Sequence, residues 1–230
     1  MNILTNRRDR LWILWWAGSR RLLRIPVLGR AIAFFTDRLF ARHFVSDLQR
    51  LHDTLAQSGL SGRYWVWAGV LLGYAREGKL LDHDRDADFA LLPGDVPQLL
   101  EAVRPLRRAG FKPLQQFRNN EGELTELTFR RHGAKFEFFV FQPIGDMLRY
   151  TVYGFPPDHL VEIDAEIPNQ SLVPFEFLGR TWLKHIDHER ELECMYGDWR
   201  TPQRSWNYLD DDRAVVDKRP WSNTGTSWTD

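Results

Sequence analysis

Four aspartates fall within seven residues of the stretch LLDHDRDADFALL, at Asp82, Asp84, Asp86 and Asp88, before the run turns apolar. On a β-strand, alternate side chains share a face. Asp84, Asp86 and Asp88 then project one way, while Ala87, Phe89 and Leu91 project the other way into a core. Three carboxylates on one face repel one another unless protons or a cation offset the charge. A hard divalent cation does this with oxygen ligands, and Mg²⁺ leaves room in its shell for waters and substrate phosphates. The competing reading is a solvated strand end, or an acid cluster paired with Arg85 or Arg76. Asp82 reads as a turn residue.

Two other stretches carry chemistry. KFEFFVF (135–141) is apolar and aromatic apart from its first lysine and Glu137. A carboxylate in such a strand is costly unless paired or metal-bound. If this strand neighbours the acidic one, Glu137 completes a three-carboxylate cluster; otherwise it faces solvent or pairs with Lys135 or Arg130. In WAGVLLGYARE (67–77), Gly69 stands between a strand and a helix, where backbone N–H groups attract phosphate. Arg76 on the same helix has the fork geometry to clamp a phosphate.

The elements that must position these residues follow from periodicity and punctuation. Leu48, Leu51 and Leu55 recur at helical spacing, with Gly59 as a stop. RYWVWAG (63–69) reads as a strand, VLLGYAREGK as a short helix, and 85–92 as the acidic strand. VPQLLEAVRPLRRAG is a helix closed by Gly110. ELTELTFRR and AKFEFFVFQ form a hairpin about His132-Gly133. LVPFEFLG is a further strand, a helix covers about 186–196, and the polar stretch from Pro202 reads as a partly disordered tail. The order predicts an α+β fold with a mixed sheet flanked by helices. No glycine-rich dinucleotide fingerprint or P-loop is present.

The 230 residues suit one domain with appendages. Charges balance at 31 against 31, so nothing pulls the chain toward nucleic acid, and none is expected as a partner. One cysteine, Cys194, excludes an intrachain disulfide and a cysteine-rich zinc site, and points to a reducing compartment. The first 50 residues hold ten arginines against three aspartates. This Trp/Leu/Arg-rich segment reads either as an amphipathic helix on an anionic membrane face or as a helical cap on the domain. Its apolar run, Leu11–Gly18, is too short to span a bilayer. It resembles a signal peptide only superficially.

Taken together, AGVLLGYARE, HDRDAD, FEFF and MYGDW resemble, in order, the motifs of the LicD/fukutin family. That family belongs to the nucleotidyltransferase-fold superfamily. Its pattern is Gly-Thr-Leu-Leu-Gly with a following Arg, an Asp-rich run, an acid before Phe in a hydrophobic strand, and Tyr-Gly-x-x-Trp after a helix. The resemblance covers about 65–200. It implies a nucleotidyltransferase-like domain over 44–200, with a basic helical segment (1–43) before it and a polar tail (201–230) after it.

The resemblance implies Asp84, Asp86 and Glu137 as ligands of Mg²⁺ or Mn²⁺. It implies catalytic roles for Asp84, Asp86, Asp88 and Glu137, with Glu137 or Asp88 as general base. Gly69, Val70, Leu72, Gly73 and Arg76 become the substrate-binding set, and Tyr196, Gly197 and Trp199 a structural motif. The implied activity moves phosphocholine or a polyol phosphate from a CDP-linked donor to a glycan hydroxyl, in the cytoplasm or at the cytoplasmic membrane face. The alternatives are transfer of NMP to a small molecule or protein, and a non-catalytic membrane-associated module. Val70, Arg85 and His83 depart from the pattern, where the family has a small hydroxyl residue, Asp and Trp.

Outside these motifs, Trp65 and Trp67 read as packing residues or a stacking surface for cytosine or choline. His185 and His188 read as surface polar residues, His159 as a loop histidine, and Cys194 as buried.

Overall fold

A computed structural model describes residues 43–82, 84–154, 160–203 and 206–222, and the backbone of 226–227. The basic segment 1–42, His83 and His159 lie outside the described residues, so the expectations placed on them are not addressed by it.

Helix α1 (43–56) buries Leu48, Leu51 and Leu55, the leucines of the helical repeat. Strand β1 (Tyr64–Trp67) runs directly into α2 (Ala68–Glu77), which ends at Gly78 in the left-handed conformation. Strand β2 (Asp86–Leu91) follows. A short 3₁₀ turn leads into α3 (Val96–Arg108), which accommodates Pro105 in its last turn. Strands β3 (Lys112–Arg118), β4 (Leu124–Arg131) and β5 (Ala134–Val140) complete this half. The β4–β5 hairpin turns at His132 and Gly133, whose φ angles of 45° and 91° suit the tight turns that match strand twist.

These strands form one mixed sheet in the order β1-β2-β5-β4-β3, extended at the β3 edge by β12 (Thr226–Ser227). Strands β2 and β5 pair in parallel, with Asp88 opposite Glu137 and Asp86 opposite Lys135. The other pairs are antiparallel. One sheet face carries Phe89, Leu91, Phe129, Phe136 and Phe138, all fully buried. Phe44 of α1 and Phe111, just after α3, pack their rings on Phe136. The opposite face carries Trp65, Trp67, Ala90, Phe139 and Phe141, which join Leu148, Tyr150, Ile167 and Met195 in a second core.

Downstream, β6 (Gln142–Ile144), β7 (Met147–Gly154), β8 (Val161–Pro168) and β11 (Val215–Pro220) make an antiparallel sheet in the order β11-β8-β7-β6. Strands β9 (Leu172–Phe177) and β10 (Arg180–His185) pair as a hairpin, followed by α4 (His188–Tyr196). The architecture is α+β with mixed strand pairing.

Within the segment after Pro202, the described residues 206–222 are folded onto the domain. Val215–Pro220 pairs with β8, and Trp221 is buried, its indole N–H donating to the Arg118 carbonyl at 3.0 Å. The reason lies in charges far apart in sequence. Arg219 meets Asp164 at 2.7 Å and also pairs with Glu162, and both acids are buried. Buried acids need such a partner, so the polar stretch is ordered by the sheet it neutralises.

Candidate functional site

The aromatic face of the mixed sheet gives way at one end to acids. Asp86 and Asp88 point to the same side of β2, while Ala87, Phe89 and Leu91 are fully buried on the other. Glu137 stands beside Asp88 across the parallel pair, and Thr128 of β4 stands beside Glu137 on its other side. Glu126 lies two residues from Thr128, on the same face. A strip of carboxylates therefore crosses three adjacent strands. Asp84 enters from the turn before β2, where its backbone N–H donates to the Leu81 carbonyl at 3.1 Å.

This strip lines a cavity of about 580 Å³ together with Gly69, Leu72, Arg76, Lys135, Tyr196 and Trp206, among others. Gly69 sits in the first turn of α2, where a Cβ would overlap Asp84 Oδ2 and stand 3.2 Å from Asp84 Cγ. The absence of a side chain is what admits the carboxylate. Ala68 before it has a φ of 46°, a conformation that costs an L-residue about 1 kcal/mol or more. This sharp junction turns the chain from β1 into α2 next to the acids.

Of the expected substrate-binding residues, Gly69, Leu72 and Arg76 line the cavity. Val70 and Gly73 do not. Val70 is buried in the core, and a Cβ at Gly73 would meet the Lys79 carbonyl at 2.5 Å. A helix presents only one face to a cavity, and these two positions lie off that face; Gly73 serves close packing against the loop of 79–81. Arg76 donates its Nε–H to the Trp199 carbonyl, tying the α2 arginine to the C-terminal motif.

The electrostatics are those of crowded, desolvated acids. Burial, with the facing Asp86 carboxyl at hydrogen-bond range and Glu137 nearby, raises the Asp84 carboxyl to about 8. Burial and then Asp86, Glu137, Asp84 and Glu126 push Asp88 well above the carboxylate range. Burial and Glu137 raise Glu126 to about 8. Glu137 is raised by burial too, but Lys135 pulls it back: Lys135 Nζ donates to Glu137 Oε1 at 3.0 Å. The Thr128 hydroxyl lies between two acids, 2.6 Å from Glu126 Oε1 and 3.5 Å from Glu137 Oε1. Asp88 accepts no hydrogen bond from a described residue.

An all-oxygen donor set held together against its own repulsion has the chemistry of a Mg²⁺ or Mn²⁺ site. Among the described residues, no three His, Cys, Asp or Glu side chains converge on one point in this arrangement. Closing on an ion requires side-chain rotations, and Glu137 must share or release Lys135. The donor types and their burial fit the ion. Asp82 stays outside, exposed and paired with Lys79 at 2.9 Å.

Several cavity residues were not singled out by sequence reasoning. Glu126 is one of them, on the β4 face of Thr128; Lys135 enters the sequence reading only as an ion-pair partner of Glu137, and that pair forms, at 3.0 Å. Tyr196 and Asp198 belong to the C-terminal motif read as structural, yet both line the cavity. Trp206, Tyr208 and Asp212 come from the supposed tail. Trp206 packs on Tyr196 with ring centres 4.7 Å apart, and Tyr150 donates to Asp212 at 2.8 Å.

Trp65 and Trp67 are 1% and 4% exposed and pack in the second core, and Trp67 also lines the cavity. His185 is not a surface residue: it is buried against Glu191 at 2.7 Å, because β10 turns directly into α4 over the second core. His188 bonds Lys184 at 2.9 Å. Cys194 is part-buried, and burial raises its thiol pKa. No helix among the described residues is long and apolar enough to cross a membrane.

The family model described as LicD/FKTN/FKRP, nucleotidyltransferase domain, matches residues 61–181. No curated protein matches the chain. The matched span contains β1, α2, the acidic strip and Lys135, and stops before Tyr196 and the tail residues of the cavity.

Proposed function

The chain belongs to the LicD/FKTN/FKRP family, and from that premise we propose that it is a Mg²⁺-dependent transferase. It moves a phosphorylated group, phosphocholine or a polyol phosphate, from a CDP-linked donor to a glycan hydroxyl. The observation that carries this reading is the register of Asp88 against Glu137 across the parallel pair, with Asp84 and Asp86 alongside. Transfer of a substituted phosphate needs positioning and charge neutralisation more than covalent chemistry. A strip of acids lining the same cavity as the start of α2 answers that need.

Asp84, Asp86 and Glu137 are the residues that would hold the ion. Bound there, Mg²⁺ or Mn²⁺ supplies neutralisation of the donor diphosphate and of the departing CMP. Gly69 and the first N–H groups of α2 face the phosphates, and Arg76 contributes a cation from the same helix. The acceptor oxygen attacks the phosphorus of the transferred group, and the bond from that phosphorus to the CMP oxygen breaks. The acceptor proton passes to a carboxylate. Asp88 suits this role better than Glu137, since Glu137 is committed to the ion while Asp88 accepts no hydrogen bond from a described residue. The basic segment before the domain fits delivery to a lipid-linked or surface glycan at the cytoplasmic membrane face.

The deciding experiment is a thermal-shift and CMP-release assay with CDP-choline, CDP-ribitol, ATP and UTP, with and without Mg²⁺. Stabilisation by a CDP compound only when Mg²⁺ is present supports the reading. A response to ATP or UTP alone redirects it to NMP transfer. Silence toward every nucleotide points to a non-catalytic module.

A further inference from the structure

The cavity holds more negative than positive charge. Asp84, Asp86, Asp88, Glu126 and Glu137 line it, and its cationic side chains among the described residues are Arg76 and Lys135. Their situations differ. Arg76 is tethered through Nε to the Trp199 carbonyl. Lys135 is held by side-chain contacts alone.

Lys135 and Glu137 are two residues apart on β5 and so share its cavity face. Nζ bonds Glu137 Oε1 at 3.0 Å, and Asp86 is the register partner of Lys135 on β2. Asp86 and Glu126 act on the same ammonium, and together with Glu137 they raise its pKa despite burial. The ammonium therefore sits amid acids that a divalent ion would use. The Lys135 side chain is 41% exposed against 10% for Glu137. The lysine has room to leave, and the carboxylate does not.

We propose that Lys135 is an exchangeable counter-ion. It neutralises Glu137 while the cavity lacks a divalent cation, and it transfers to the donor diphosphate once the cation binds. The inference rests on the proposed function for the identity of the ion and the diphosphate. Its own content is the change of partner. A flexible four-carbon stem with a compact ammonium suits such a move better than a guanidinium fork. The lysine keeps the empty cavity from carrying unopposed buried charge, at the cost of competing with the metal. It recovers that cost by adding a cation to the diphosphate.

The two partners give effects of opposite sign. In the full-length protein, Lys135→Met removes the competitor. Mg²⁺ or Mn²⁺ affinity without nucleotide, read by calorimetry, then tightens by roughly fivefold. CDP affinity at saturating metal weakens by about tenfold. Lys135→Gln gives the same opposed pair of shifts, and Lys135→Arg, which keeps a cation but on a less mobile fork, gives smaller shifts than either. A lysine that only props the strand would weaken both ligands together and lower the melting temperature. Unchanged or weaker metal binding in Lys135→Met and Lys135→Gln, or unchanged CDP binding, overturns the inference and leaves the proposed function standing. A parent protein that binds neither Mg²⁺ nor CDP overturns both.

Discussion

Gly69 of α2 and Asp84 occupy adjoining space, such that a single methyl group on the glycine would overlap the carboxylate. The helix start and the acidic run are 15 residues apart in sequence, and their contact fixes where the first acid of the strip stands. A residue that contributes only hydrogen at its α-carbon thereby shapes the site.

This contact predicts the outcome of Gly69→Ala. In an ordinary helix the change stabilises by about 0.5–1 kcal/mol. Here the new methyl displaces Asp84, so divalent-ion affinity is expected to fall by about tenfold or more while circular dichroism stays native. Calorimetric titration with Mn²⁺ checks it. Undiminished affinity would mean that Asp84 is not held by that contact.

Asp84→Asn and Asp86→Asn separate folding from ligand binding. Each removes one like charge from a desolvated set. Without metal, the melting temperature is expected to hold or rise, by an amount worth up to about 1 kcal/mol. CMP release and Mg²⁺-dependent stabilisation are expected to disappear. A variant that turns over normally would remove that residue from the metal assignment.

The raised carboxyls set a pH dependence with a definite sign. Asp84 moves from an ordinary 3.8 to about 8, and Glu126 from 4.5 to about 8. Between those values the folded state holds more protons than the unfolded chain, so stability without metal declines as pH rises from about 4 toward 8. Mg²⁺ binding requires deprotonated acids and opposes that decline. The Mg²⁺-induced rise in melting temperature is therefore expected to be larger at pH 8.5 than at pH 6, with proton release on binding. A shift independent of pH would contradict the crowded-acid description.

Arg219 offers a test of the folded tail. It meets Asp164 at 2.7 Å and pairs also with Glu162, which is fully buried. Arg219→Met leaves both acids without that partner and is expected to cost about 3 kcal/mol in urea unfolding. Loss of β11 pairing would also loosen the Trp206 and Tyr208 wall of the cavity, so nucleotide affinity is expected to fall with it. A neutral substitution would mean that the segment is not anchored through this residue.

The local elements were legible because each depends on short-range chemistry. Leucine spacing marked α1, alternation marked β2, and His132-Gly133 marked the β4–β5 hairpin. The acids were legible for the same reason: a period of two places Asp86 and Asp88 on one face whatever the strand pairs with. Val70 and Gly73 do not line the cavity, since a motif records which residues recur but not which helix face they occupy. The tail was misjudged because composition weighs its charges as solvated. Arg219 and Asp164 stand 55 positions apart, a separation that no local window spans.

The sequence by itself determined the faces: which side of each strand is acidic, which is apolar, and where a helix must begin. Only the tertiary structure decided the neighbours. The parallel pairing of β2 with β5 put Glu137 beside Asp88, and Lys135 beside Asp86. The return of the chain through β11 brought Trp206, Tyr208 and Asp212 to the cavity wall. Side-chain alternation is a property of a few consecutive bonds, whereas register and closure depend on long-range pairing between distant segments, whose energies no single segment contains.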